Sequence, residues 1–170
     1  VMIRLADVED AAALDHFFGQ LDRETRFMLH EAGERPSNIE GQRQRLAAMQ
    51  GTANQRMWLL VLAGEVQGFA VLIGGGLARN RHCALVVMGL RSSARGQGWG
   101  ERLLRTLIAS APDCGISRLE LGVMAHNEVA HSLYCKCGFR DEGLRRQAYR
   151  LDEGYVDEIS MGLLLPFMAP

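Results

Sequence analysis

The chain has 170 residues, 48% of them hydrophobic, and 19 Lys and Arg against 20 Asp and Glu give a net charge of −1. One domain over residues 1–170 is expected, with a core burying about two thirds of the unfolded surface and no need of metal or disulfide staples. The charges are interspersed and no apolar run approaches roughly 20 residues, which argues against nucleic-acid or membrane binding; with no charged-then-apolar leader at the start, a cytoplasmic location is expected.

Met2 to Ala6 reads as a strand, and Asp7 caps a helix that carries Ala11, Leu14, Phe17, Phe18 and Leu21 on one side. A polar stretch through Pro36 and Ser37 leads to a second helix near Ile39 to Met49. Met57 to Ala63 and Val66 to Ile73 form a hairpin around Gly64-Glu65, and Gly74-Gly75-Gly76 turns toward a nearly continuous apolar strand, Ala84 to Leu90.

Arg95-Gly96-Gln97-Gly98-Trp99-Gly100 follows that strand. Alternate glycines let consecutive amide N–H groups converge on one anion, as a pyrophosphate requires. The next residues form a helix, with Leu103, Leu104, Leu107, Ile108 and Ala111 on one side and Pro112 closing it. Its unpaired N-terminal donors add to the same anion site. The loop is neither of two better-known phosphate cradles. G-x-G-x-x-G would need glycine where Glu101 stands, and G-x-x-x-x-G-K-[ST] is absent.

Leu119, Leu121, Val123 and Ala125 alternate with Arg118, Glu120, Gly122 and Met124, the pattern of a strand with two unlike faces. Asn127 then caps a short helix with Ala130, Leu133, Tyr134 and Cys137 at helical spacing, and Gly138 ends it. Phe139 to Leu151 and Tyr155 to Leu165 are a final strand pair. The order β-α-α-β-β-β-α-β-α-β-β makes the fold class α/β (α+β), a mixed central sheet with helices on both faces. Cys83 and Cys114 stand alone, Cys135 and Cys137 point to different sides of one helix, and no C-x-x-C occurs, so no metal site and reduced thiols are expected.

R-G-x-G-x-G after a strand, with N-x-x-A-x-x-L-Y-x-K-x-G-F downstream, resembles the GNAT superfamily of acetyl-coenzyme A-dependent N-acetyltransferases. Arg81 to Ala84, Asp141-Glu142-Gly143 and Glu153 to Glu158 are similar to the branch of bacterial amino-acid and small-amine N-acetyltransferases. The resemblance implies the GNAT fold, whose element order is the one read here, and acetyl-coenzyme A as co-substrate. It implies that Arg95, Gly96, Gln97, Gly98, Trp99 and Gly100 hold the pyrophosphate. It implies that the strand splays near Met88, Gly89 and Leu90 to hold the pantetheine arm and thioester oxygen. Tyr134 is implied as the general acid for the departing thiolate, with Asn127 and Lys136 contacting the cofactor. Gly89 physically suits a bulge or close approach in that strand.

The resemblance further implies two walls to the acceptor site, one around Arg26-Phe27-Met28 and the other from Tyr155 to Asp157, with Phe27 and Asp157 as substrate-binding residues. The acids Asp152, Glu153, Asp157 and Glu158 could attract a cationic amine. The position where some relatives carry a glutamate matches Leu85, leaving His82, Glu120, His126 and Asp157 as candidate bases, each equally a solvated or structural side chain. A small-molecule amine such as an amino acid or polyamine is the expected acceptor. A protein N-terminus or lysine, or an acetyl-coenzyme A sensor without turnover, are the alternatives. The apolar end Leu163 to Met168 would suit a homodimer contact or a buried edge strand with a packed terminus. Direct transfer is expected, since neither Cys135 nor Cys137 shows a positioned base.

Overall fold

A computed structural model describes residues 1–166. Seven strands form one sheet: β1 (Met2–Leu5), β2 (Gln55–Leu62), β3 (Glu65–Gly74), β4 (Cys83–Leu90), β5 (Arg118–Met124), β6 (Arg140–Leu151) and β7 (Gly154–Leu164). Among the described residues four α-helices accompany them: α1 (Ala11–Glu24), α2 (Ile39–Gln50), α3 (Trp99–Ser110) and α4 (Glu128–Lys136). The element order is the one the sequence predicts. Asp7 caps a single 3-10 turn, Val8–Asp10, and α1 starts only at Ala11.

The strand order is β1-β2-β3-β4-β5-β7-β6, and only β4 and β5 run parallel. A parallel neighbour needs a crossover, and α3 supplies it. Helices cover both faces because the apolar positions alternate. Leu60, Leu72, Val86, Leu119, Leu121 and Val123 pack with Leu103, Leu104 and Leu107 of α3 and with Tyr134 of α4. On the other face Leu59, Phe69 and Val71 meet Leu14, Phe17, Phe18 and Leu21 of α1 and Leu46 of α2. The buried residues of this second core come from α1, α2, β2 and β3, with Val87 of β4 at its margin. The β5–β7–β6 half of that face therefore carries no helix. β7 lies between β5 and β6, so it is not the edge strand its apolar end suggested. Leu164 is exposed, and Phe167 and Met168 lie outside the described residues.

The segment between α1 and α2 contains no further helix or strand but is tied down. Arg35 makes a two-pronged ion pair with Asp22 of α1, at 2.8 and 3.2 Å, and its guanidinium lies 4.6 Å from the Phe18 ring centre. Asp15 accepts from the Ser37 hydroxyl and the Asn38 N–H, which lowers its carboxyl below the ordinary range, the hydroxyl contributing most.

Candidate functional site

β4 and β5 pair only over Cys83–Leu85 and Arg118–Glu120. β4 stays fully paired with β3 to Leu90, so beyond Leu85 the sheet opens into a wedge between β4 and β5. The bonds Gly75 N–H to Cys83 O and Arg91 N–H to Gln67 O mark the odd-numbered residues of β4 as those bonded to β3. By alternation, Met88 and Leu90 turn their N–H and C=O toward the wedge, while Gly89 turns its own toward β3.

Of the two readings of Gly89, bulge or close approach, the β3–β4 register, which runs without a shift, excludes the bulge and leaves the close approach. Its glycine is needed for packing. A Cβ there would stand 2.9 Å from Leu21 Cδ2 and 3.2 Å from Phe69 Cε1. The opening arises from divergence of β4 and β5, with Gly89 giving α1 and Met28 room against the strand.

The glycine loop lies at the open end of the wedge. Gly96 and Gly98 take φ of +73° and +84°, conformations that side chains resist. Gly98 is the N-cap of α3 and offers no side chain, so the first N–H groups of the helix stay free for an anion. Two side chains fasten the loop from behind: Arg95 Nε donates to Leu90 O at 3.1 Å, and Gln97 Nε2 to Ser93 O at 3.0 Å. Gly100 serves a different purpose. A Cβ there would meet Leu90 and Leu133 at 3.3 and 3.4 Å, so its absence lets α3 seat tightly. Trp99 packs under Arg102, with 4.8 Å from guanidinium to ring centre. Lys136, at the end of α4, pairs with Glu101 in the first turn of α3 at 3.1 Å, which places it beside the loop but already engaged.

α4 forms one side of the wedge. Asn127 Oδ1 accepts the Ala130 N–H at 3.3 Å, and Gly138 closes the helix at φ +102°. Tyr134 is buried between them, edge-on to Phe139 at 5.9 Å, and burial pushes its phenol up to about 12. Its hydroxyl takes no hydrogen bond among the described residues, and its proton is thus uncommitted.

Across the sheet, the helix-free half presents other residues. The Phe27 ring lies 5.0 Å from that of His126, tilted by 53°, and Met28 lies beside Gly89, so the segment after α1 walls one side of the mouth. Arg26 reaches the β6–β7 turn and pairs with Glu153 at 3.1 Å and Asp152 at 3.4 Å. These exposed pairs link the segment after α1 to the β6–β7 turn and give Asp152 and Glu153 a cationic partner from within the chain. Asp157 Oδ1 accepts the N–H of Gln147, a residue at φ +51° where the β6–β7 register shifts, and lines an open cavity of about 640 Å³ with Arg146 and Gln147. Among the other candidate bases, Glu120 pairs with Arg118, and His82 precedes β4 at the end remote from the glycine loop. A second cavity, of about 250 Å³, is lined by Leu85, Glu120, Gly122, Arg145, Glu158 and Ser160 among others.

Cys135 is exposed and Cys137 buried, on different sides of α4 as expected. Cys135 does have a nearby base, which the H-x-x-x-C spacing could have revealed. His131 Nε2 lies 3.8 Å from its sulfur. The same nitrogen lies 2.7 Å from Asp141 Oδ1. A thiol-activating histidine needs one ring nitrogen for sulfur and the other for the carboxylate, so this trio is no relay.

A family model described as acetyltransferase (GNAT) family matches residues 19–139. An uncharacterised N-acetyltransferase of Bacillus subtilis is 35% identical over 82 residues, 48% of this chain and 52% of that protein. The ribosomal protein bS18-alanine N-acetyltransferase of Escherichia coli is 39% identical over 67 residues, 39% of this chain and 45% of that protein. The chain thus spans about half the length of the curated relatives it matches. The crystal structure of an acetyltransferase of the GNAT family from Streptococcus pneumoniae superposes with a TM-score of 0.93 at 28% identity, covering 97% of this chain and 99% of that one.

Proposed function

The chain belongs to the acetyltransferase (GNAT) family, and from that premise we propose that it transfers the acetyl group of acetyl-coenzyme A directly to a primary amine of a small molecule such as an amino acid or polyamine. The observation that carries this reading is the wedge itself. Strand groups of Met88 and the Leu90 N–H turned away from β3, an uncapped helix start behind left-handed glycines, and an uncommitted Tyr134 phenol surround one opening.

The residues fit that substrate. Its pyrophosphate takes the N–H groups from Gly96 to Gly100, and its thioester oxygen, negative as the tetrahedral intermediate forms, takes the Met88 N–H. The amine lone pair attacks the thioester carbon, the carbon–sulfur bond breaks, Tyr134 protonates the departing sulfur, and the amine gives up one proton. Small acceptors are favoured by the Arg26 clasp to Asp152 and Glu153, which narrows the mouth between the two walls. Phe27 and Asp157 stand on those walls as acceptor contacts, and Asn127 and Lys136 flank the coenzyme side.

The test is release of coenzyme A thiol from acetyl-coenzyme A by the purified protein with amino acids, polyamines and N-terminal peptides. Acceptor-dependent release with amino acids or polyamines supports the reading. Release with peptides alone moves the acceptor to a protein N-terminus, and binding measured by calorimetry without release to any acceptor turns it into a sensor.

Two substitutions probe the parts. Gly98→Val puts a β-branched residue at φ +84° with open space around its Cβ, so its cost is backbone strain of about 1–3 kcal/mol. The loop escapes that strain by leaving the anion-binding conformation. Acetyl-coenzyme A affinity is expected to fall by about 5–150-fold in calorimetry, while Gly100→Ala, unstrained in φ, costs less. Cys135→Ser combined with Cys137→Ser is expected to keep most of the transfer rate in the same thiol assay, whereas its abolition in a folded, cofactor-binding variant would indicate an acetyl-cysteine intermediate.

A further inference from the structure

Resting on the acetyl-transfer reading, we propose that Glu158 is the base that takes the proton of the acceptor amine. The wedge has two faces. Leu119, Leu121 and Val123 of β5 point toward α3 and α4, so Glu120 and Gly122 point to the helix-free face. Ile159 and Met161 of β7 share the α3–α4 core, which puts Glu158 on the helix-free face as well. The Gly98 cradle and Tyr134 belong to the first face, and the Phe27 wall, with Met28 against Gly89, to the second. The amine enters from the second, where its proton must go.

On that face the last β4–β5 pair is Leu85 and Glu120, Glu120 is engaged by Arg118, and the next β5 residue on the face, Gly122, offers no side chain at the mouth. Glu158 supplies one from β7. A Cβ on Gly122 would lie 2.5 Å from Glu158 Cδ and 2.6 and 2.7 Å from its two oxygens. The carboxylate therefore lies flat over Gly122, in the space a β5 side chain would fill. Position 122 is two residues past the last β4–β5 pair, so this is the edge of the wedge.

Glu158 is held there from both sides. Arg145 Nη1 donates to Oε1 at 2.8 Å, and the Tyr149 hydroxyl donates to Oε2 at 2.6 Å. These bonds use one acceptor site on each oxygen, and a carboxylate offers about four sites in all. The rest face the cavity of about 250 Å³ shared with Leu85 and Ser160. The charged and titratable groups around Glu158 are Arg145, Tyr149 and Glu142 from β6 and Arg118 and Glu120 from β5. Glu120 and Glu142 share Arg118 and Asp157 accepts from Gln147; what sets Glu158 apart is its place over Gly122, at the wedge edge. In the step, an N–H bond of the attacking amine breaks, its electron pair stays on nitrogen, and the proton moves to a Glu158 oxygen and then to solvent through the cavity.

The experiment uses the full chain, acetyl-coenzyme A and the amine with the fastest thiol release in the panel. Glu158→Gln is expected to lower kcat by about 10²–10⁴-fold with calorimetric affinity for acetyl-coenzyme A unchanged. Glu158→Asp, which keeps a carboxylate, recovers part of that loss. The deficit shrinks along a series of primary amines of falling pKa. Gly122→Ala, which displaces the carboxylate without removing it, lowers kcat in a folded protein and keeps the proposal testable should Glu158→Gln not fold. Wild-type kcat in Glu158→Gln or Gly122→Ala overturns the proposal, and so does a loss that follows acetyl-coenzyme A affinity down. A wild-type protein that acetylates no amine overturns the underlying reading and the proposal with it.

Discussion

Tyr134→Phe is expected to bind acetyl-coenzyme A as the wild type does and to lose about 10²–10⁴-fold in kcat. Phenylalanine fills the same space against Phe139, and the tyrosine hydroxyl has no protein partner among the described residues, so no packing or hydrogen bond is lost. What goes is the proton for the departing sulfur. The pH dependence separates this role from that of a base. Burial pushes the Tyr134 phenol up to about 12, so it remains an acid throughout the working range and sets no alkaline limb near neutrality. The same shift has a stability consequence. A folded pKa raised above the ordinary value of about 10 gives stability fully present below pH 10 and lost as pH rises toward 12. Tyr134→Phe has no such group, so above pH 10 its denaturant midpoint should fall less than that of the wild type. An unchanged kcat would remove Tyr134 from the chemistry and leave it a core residue.

Local pattern made much of this molecule legible. The apolar stripes of α1 and α3 and the alternation along β5 located those elements because burial on one face imposes a period on the chain. Asn127 and Gly138 marked α4 because helix ends have few chemical solutions. Gly96 and Gly98 could be read as anion-binding positions, and both adopt the left-handed backbone that glycine permits. The features missed depend on what faces a residue across the fold. Gly89 invited a bulge, yet its small size answers Leu21 and Phe69, which come from other elements. Asp152 and Glu153 look in sequence like acids open to a cation, and their partner Arg26 reaches them from more than a hundred residues away. Gly122 and Glu158 carry no shared local signal, because β7 inserts between β5 and β6 and brings the carboxylate over the glycine only in the finished sheet.

Such long-range ties also govern the acceptor side of the mouth, and Arg35→Ala should expose that dependence. Asp22 is 1% exposed in its side chain and Arg35 20%. Removing the arginine leaves a buried carboxylate without its charge partner, at a cost of about 3–5 kcal/mol, and also removes the cation stacked on Phe18. Removing the aspartate is less damaging, since the longer arginine can carry its charge to solvent. Urea denaturation should therefore rank Arg35→Ala as less stable than Asp22→Ala, with the double variant more stable than Arg35→Ala alone. Equal losses in both single variants would mean that the pair contributes by packing alone. The segment that Arg35 anchors carries Phe27 and Met28, whereas the glycine loop and Tyr134 lie on the other face of the sheet. Loosening it should raise the KM for the amine more than the KM for acetyl-coenzyme A. That asymmetry would distinguish a disturbed acceptor wall from a general loss of folded protein, which lowers the apparent rate and leaves both KM values in place.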